Sequence, residues 1–128
     1  MRKKWSRYWI ASKQPRKQRK YRYQAPLHAR QRLVSSMLDK KLRKEFNKRS
    51  LPIRRGDEVI IMSGSFKGKT GKIARVDLKK LKIFIEGIKR KKVSGQEVDA
   101  AIDPSYVKIT KLEMDDKKRR KFLARRNK

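Results

Sequence analysis

Side chains able to perform acid–base or nucleophilic chemistry are few and scattered in this chain of 128 residues. His28 is the single histidine and cysteine is absent, so a thiolate nucleophile, a disulfide and a thiolate metal site are all excluded. A metal or general-base role for His28 needs partners that the sequence does not offer. What remains for it is a hydrogen bond to a ligand or the capping of a helix. Asp57 and Glu58 have no nucleophile or histidine near them in sequence, and Asp115-Asp116 reads as a helix start rather than a metal pair. No catalytic residue, metal, cofactor or small-molecule substrate is therefore expected. The chemistry present in abundance is that of fixed positive charge, with 41 Lys and Arg against 12 Asp and Glu and a formal charge of +29. Such an excess makes a compact fold repel itself and calls for a polyanionic partner, nucleic acid first and an anionic membrane surface second. Arg16, Arg19 and Arg22 offer forked donors for phosphate oxygens, while Lys13, Lys17 and Lys20 act as point charges. Tyr21 and Tyr23, set among these cations, can stack on unpaired bases.

The charge is unevenly placed, and that placement indicates which elements must carry it. No acidic residue precedes Asp39 and none follows Asp116. The acids and most β-branched residues lie between, which predicts a folded body carrying two basic arms. The expected organisation is a basic arm over 1–25, irregular until bound, and a short helical segment over 26–50. A β-rich body over 51–112 and a basic, helical tail over 113–128 complete it. No apolar run approaches the roughly 18 to 20 residues that span a bilayer. The basic start Met1-Arg2-Lys3-Lys4 lacks the apolar stretch of a signal peptide. These features predict a soluble, cytoplasmic protein.

Within 26–50, Leu38, Leu42 and Phe46 recur at four-residue spacing and predict one helix face, after a break near Ser35-Ser36. Ser36 or Asp39 is the expected cap of that second helix. Beyond Ile53 the pattern becomes one of short strands, expected over 59–62, 70–77, 82–86, 98–102 and 106–110. Many short strands without intervening long helices predict a mainly β fold, a small barrel rather than a crossover sheet. In the tail, Asp115 is a candidate cap. Only Phe122, Leu123 and Ala124 interrupt the charge there, too few for a stable apolar face, so its helicity is expected to depend on a partner.

The most specific segment is Gly56-Asp57-Glu58-Val59 followed by Gly64-Ser65-Phe66-Lys67-Gly68-Lys69-Thr70-Gly71-Lys72-Ile73 and Val76. It resembles a KOW motif, a strand, a glycine-rich loop and a strand, which implies an SH3-like barrel. Its glycines permit positive φ and close backbone approach. Phe66 can fold over the barrel mouth, and Lys67, Lys69 and Lys72 can project towards phosphates. The flanking blocks narrow the reading. They are Ser12 to Tyr21, Ala25-Pro26-Leu27-His28, Arg49 to Asp57, Glu86-Gly87-Ile88, Lys91 to Gly95 and Ile102 to Val107. In this order they are similar to ribosomal large-subunit protein twenty-four in its archaeal and eukaryotic form, the archaeal one being nearer. The resemblance runs from Ser12 onward and leaves Met1 to Ala11, with Trp5, Tyr8 and Trp9, outside it.

The resemblance implies a structural component of the large ribosomal subunit that binds its rRNA, acts early in assembly and sits near the exit of the peptide tunnel. Neighbouring large-subunit proteins are implied as further partners. The expected RNA contacts are Lys13, Arg16, Lys17, Arg19, Lys20, Tyr21 and Arg22 in the arm, His28, Arg30 and Arg32 after it, and Arg54. Lys67, Lys69 and Lys72 at the loop and Lys89, Arg90, Lys91 and Lys92 beyond it complete the set. Two other classes compete. A transcription-elongation module predicts an additional polymerase-binding domain and more balanced charge, and a DNA-compacting protein predicts equal affinity for duplex DNA and rRNA.

Overall fold

A computed structural model describes residues 5–125. Met1-Arg2-Lys3-Lys4 and residues 126–128, the outer ends of the expected arm and tail, lie outside the described residues. A 3-10 turn at Arg7–Ala11 leads into helix α1 (Pro15–Gln24) and helix α2 (Leu27–Leu33). Pro15 opens α1 with a preset φ, and the break between the helices falls at Ala25-Pro26, where proline keeps its predecessor extended. Strand β1 (Ser35–Leu38), helix α3 (Lys40–Phe46) and strand β2 (Ser50–Pro52) follow. Asn47, in the left-handed region at φ 51°, ends α3. The body then runs through β3 (Glu58–Ile61), β4 (Thr70–Asp77), β5 (Lys82–Ile85), β6 (Lys89–Lys91) and β7 (Glu97–Asp99). A 3-10 turn at Pro104–Tyr106, β8 (Val107–Lys111) and α4 (Lys117–Ala124) close the described chain.

Six strands form one sheet in the order β2-β1-β8-β3-β4-β5, antiparallel except for the parallel β1–β8 pair. Strand alternation turns Val59 and Ile61, with Val107 and Ile109 beside them, into the core. Leu38, Leu51, Ile73, Ile83 and Val34 join them, all nearly inaccessible to solvent. Each such side chain contributes about 1.5–3 kcal/mol of burial, and this apolar centre opposes the self-repulsion of the surface. Phe66 packs partly buried against the same core.

Several expectations are corrected. The fold is mixed α/β rather than mainly β, because helices take up as much of the described chain as strands do. The sheet is open rather than a closed barrel, with β2 and β5 at its edges. Only an isolated bridge continues past β5, where Ile83 and Ile102 exchange two 2.9 Å hydrogen bonds. Pro104 lacks an N–H and opens a 3-10 turn, which ends the pairing on the β8 side of that bridge. Ser35–Leu38, inside the segment expected to be helical, is a strand with alternating burial, and the Ser36 hydroxyl donates to the Pro104 carbonyl. Leu38 therefore reaches the core from a strand, while Leu42 and Phe46 reach it from α3. The strand expected over 98–102 is instead the second arm of a separate hairpin, β6–β7. The arm expected to be irregular contains α1.

The tail is helical, but its partner is internal. Asp116, not Asp115, caps α4 by accepting from the Lys118 amide at 2.8 Å. Arg119 and Leu123, one turn apart, are both buried against the body.

Candidate nucleic-acid interface

The tail is held by a contact that connects the two ends of the β-rich segment. Asp57 lies in the turn before β3, and its carboxylate is wholly buried. Two main-chain amides donate to it, Arg54 at 3.0 Å and Glu113 at 2.9 Å. The Arg119 guanidinium adds a forked pair, Nη1 at 2.5 Å and Nη2 at 2.7 Å. Arg119 Nη1 also donates to the Glu113 carbonyl at 2.9 Å. Four donors thus surround one carboxylate, the arrangement a buried charge requires. Next to it, Arg54 pairs with Asp116 at the surface, and this hydrogen bond holds the Asp116 carboxyl below the usual carboxylate range. Sequence reasoning missed the Asp57–Arg119 pair, since the partners lie 62 residues apart. The one available signal was the four-residue spacing of Arg119 and Leu123, which puts them on one helix face.

With that pair fixing the tail, most of the expected RNA contacts remain at the surface. Lys13, Arg16, Lys17, Arg19, Lys20 and Arg22 are all exposed. At about 3.6 residues per turn, Arg16, Arg19, Lys20 and Tyr23 fall on one side of α1. Lys17 and Arg22 flank that stripe from other sides. Tyr21 is placed differently. Its ring lies 5.3 Å from that of Trp5, whose indole donates to the Tyr21 carbonyl at 3.2 Å. Gln18 reinforces this fold-back by donating to the Ile10 carbonyl at 2.9 Å and to that of Ser12. Tyr23, by contrast, is 81 % exposed. The structure therefore leaves Tyr23, rather than Tyr21, as the open aromatic face of the helix.

His28 is exposed near the start of α2 and is not its cap, a position held by Pro26. Arg30 is committed internally. Its Nε donates to the Ala25 carbonyl at 2.8 Å, Nη1 to the Lys79 carbonyl at 2.6 Å, and Nη2 to that of Tyr23. It ties the α1–α2 corner to the β4–β5 turn, which fixes the direction in which α1 leaves the body. Arg32, on α2, is exposed and lines the same cavity as Arg54.

The glycine-rich loop joins β3 to β4 as expected of the motif. Gly64 and Gly68 adopt φ of +92° and +85°, conformations that side chains disfavour. Gly71 serves another purpose, because a Cβ there would sit 2.6 Å from Ile85 Cγ2. Lys67, Lys69 and Lys72 are exposed around this loop, with the Lys69 ammonium 5.2 Å from the Phe66 ring centroid. Lys89, Arg90, Lys91 and Lys92 are exposed on the β6–β7 hairpin. Lys89 lies opposite Asp99, and Lys91 opposite Glu97. Arg90, opposite Val98, has no acid across from it.

Elsewhere the acids serve the fold. Lys108 bonds the Asp39 carboxylate at 3.1 Å and draws its pKa down. Partial burial pushes Asp103 up, but hydrogen bonds from Ser105 and from Lys82 outweigh it and leave the pKa lowered. No three His, Cys, Asp or Glu side chains gather into a metal site among the described residues. No described helix is long and apolar enough to cross a membrane.

This arrangement is that of a cationic scaffold, a small apolar sheet displaying basic helices and loop tips. Residues 12–126 match the family of ribosomal proteins that comprises eukaryotic L26 and archaeal L24p. The chain belongs to that family, and so to the structural proteins of the large ribosomal subunit.

Proposed function

We propose that this protein binds large-subunit rRNA through α1, the β3–β4 loop and the β6–β7 hairpin, with the sheet setting their spacing. The observation that carries this reading is α1 itself, a helix rich in Arg, Lys and Tyr without an acid, whose cations all face solvent. Phosphate and ribose contacts supply most of the affinity in such a complex, and RNA shape supplies much of the discrimination. The folded body is SH3-like in its strand–loop–strand unit, although its sheet is open. Within the ribosome the protein acts as an early assembly component near the exit of the peptide tunnel, with neighbouring large-subunit proteins as further partners. Membership of the family supports this role.

Sedimentation of the full chain with large subunits through a high-salt gradient tests the proposal. Retention on the subunit is expected. Release of the chain to the top of the gradient, as for a polymerase-associated factor, contradicts it. Competition with duplex DNA separates the remaining rival, since a DNA-compacting protein would exchange freely onto the duplex.

A further inference from the structure

The docked tail creates a cavity that neither arm nor loop explains. It lies between α2, β2 and α4 and measures about 510 Å³, within the size range of small-ligand sites. Among its lining residues, Leu51 is buried and Pro52 half-buried, whereas Gln31, Arg32, Lys118 and Phe122 are exposed. None of the described lining residues is acidic. Two further arginines in the wall are already engaged, Arg54 with Asp116 and Arg119 with Asp57. Arg32 and Lys118 have no carboxylate partner among the described residues and remain open to an external anion. Phe122 is steadied in place by Lys48, whose ammonium lies 3.9 Å from the ring centroid and 3.3 Å from the Phe122 carbonyl oxygen.

We propose that this cavity takes one unpaired nucleotide of the bound RNA. The base packs against Phe122 and Pro52, its phosphate lies on Arg32 and Lys118, and the Gln31 amide offers a donor and an acceptor to the base edge. An apolar peptide would fill the same volume but would desolvate two cations without pairing them. Duplex RNA would satisfy the cations but cannot deliver a base, because only loops, bulges and single strands splay bases out. An aromatic ring beside open cations is the chemistry of single-stranded RNA binding. This inference rests on the RNA-binding reading above and adds a site that depends on the tail being docked.

The test uses the full chain with two probes, a short single-stranded oligoadenylate and a blunt RNA duplex with the same number of phosphates. Phe122→Leu should weaken oligoadenylate binding by at least about five-fold, the lower end expected for one base–aromatic stack, and leave duplex binding unchanged. Phe122→Tyr should restore the single-strand preference. Equal effects on both probes, or no effect on either, would overturn the proposal and leave the cavity to a protein neighbour. Should Phe122→Leu lose its circular dichroism, the wild-type chain is cross-linked to an oligouridylate carrying 4-thiouridine. Cross-links in the peptides containing Gln31 or Phe122 support the site, and cross-links confined to α1 and the β3–β4 loop reject it. If the wild-type chain binds neither probe, the RNA-binding reading fails first and this proposal fails with it.

Discussion

Replacing Arg119 by Met should destabilise the protein far more than any other single change among the tail cations. The substitution keeps the length and most of the apolar stem but removes the forked donors from Asp57. The carboxylate, 0 % exposed, would retain only the Arg54 and Glu113 amides. Breaking a buried pair by removing one partner costs about 3–5 kcal/mol, roughly a fifth or more of the stability of a typical small domain at about 5–15 kcal/mol. Some of the loss is shared with Leu123, which leaves the core if α4 swings away. Arg120→Met is the matched control. Arg120 is exposed, and among the described residues its guanidinium makes only a 3.5 Å contact with the Asp115 carbonyl, so a change within about 0.5 kcal/mol is expected. Urea unfolding of the full chain followed by far-ultraviolet circular dichroism measures both. If Arg119→Met unfolds within 1 kcal/mol of wild type, with ~1 kcal/mol being an ordinary substitution effect, then the pair does not hold the tail as described.

Gly71→Ala should destabilise by about 1–3 kcal/mol through overpacking, since its Cβ would meet Ile85 Cγ2 at 2.6 Å and the Glu86 carbonyl at 3.1 Å; an unchanged urea midpoint would contradict this. Asp39 and Asp116 titrate below their ordinary value of 3.8 in the folded chain, so the stability they add is present above that pH and is lost as pH falls through their lower folded values. Thermal melts between pH 6 and pH 2.5 should therefore show a drop beginning below about pH 4 that is shallower in Asp116→Asn, and equal slopes would rule the account out. Tyr23→Ala should weaken rRNA binding with little change in melting temperature, whereas Tyr21→Ala should lower the melting temperature by removing the ring that Trp5 covers. The reverse pattern would show that the stacking roles are misassigned.

How far the sequence disclosed this structure depended on whether a residue's role was local. Strands β3, β4 and β5 were legible because alternation and glycine placement are local signals, and Gly64 and Gly68 adopt the positive φ that their loop demands. Strand β1 was hidden, because Leu38 lies at helical spacing from Leu42 and Phe46. What makes it a strand is its long-range pairing with β2 and β8. Strand β6 was hidden for another reason. Lys89, Arg90 and Lys91 are polar on both faces, so no hydrophobic period marks them. Closure of the sheet could not be read from strand count, since it depends on long-range pairing across β5, where only the Ile83–Ile102 bridge forms. Among the candidate contacts, charge marks the segments but does not give each side chain's commitment. Arg30 and Arg54 look like their neighbours in sequence, yet one holds three backbone carbonyls and the other holds Asp116. Asp57 has no nucleophile or histidine near it in sequence, and it is the group that places the tail.

The salt dependence of affinity for a large-subunit rRNA fragment tests the central claim most directly. If the exposed cations neutralise about ten phosphates, the slope of log affinity against log salt should be roughly −7 to −9. Full chain carrying Arg16→Gln, Arg19→Gln, Lys20→Gln and Arg22→Gln, with the fold confirmed by circular dichroism, should give a slope shallower by about three to four. A wild-type slope shallower than about −3, or an unchanged slope in the variant, would contradict the assignment of α1 as the main rRNA anchor.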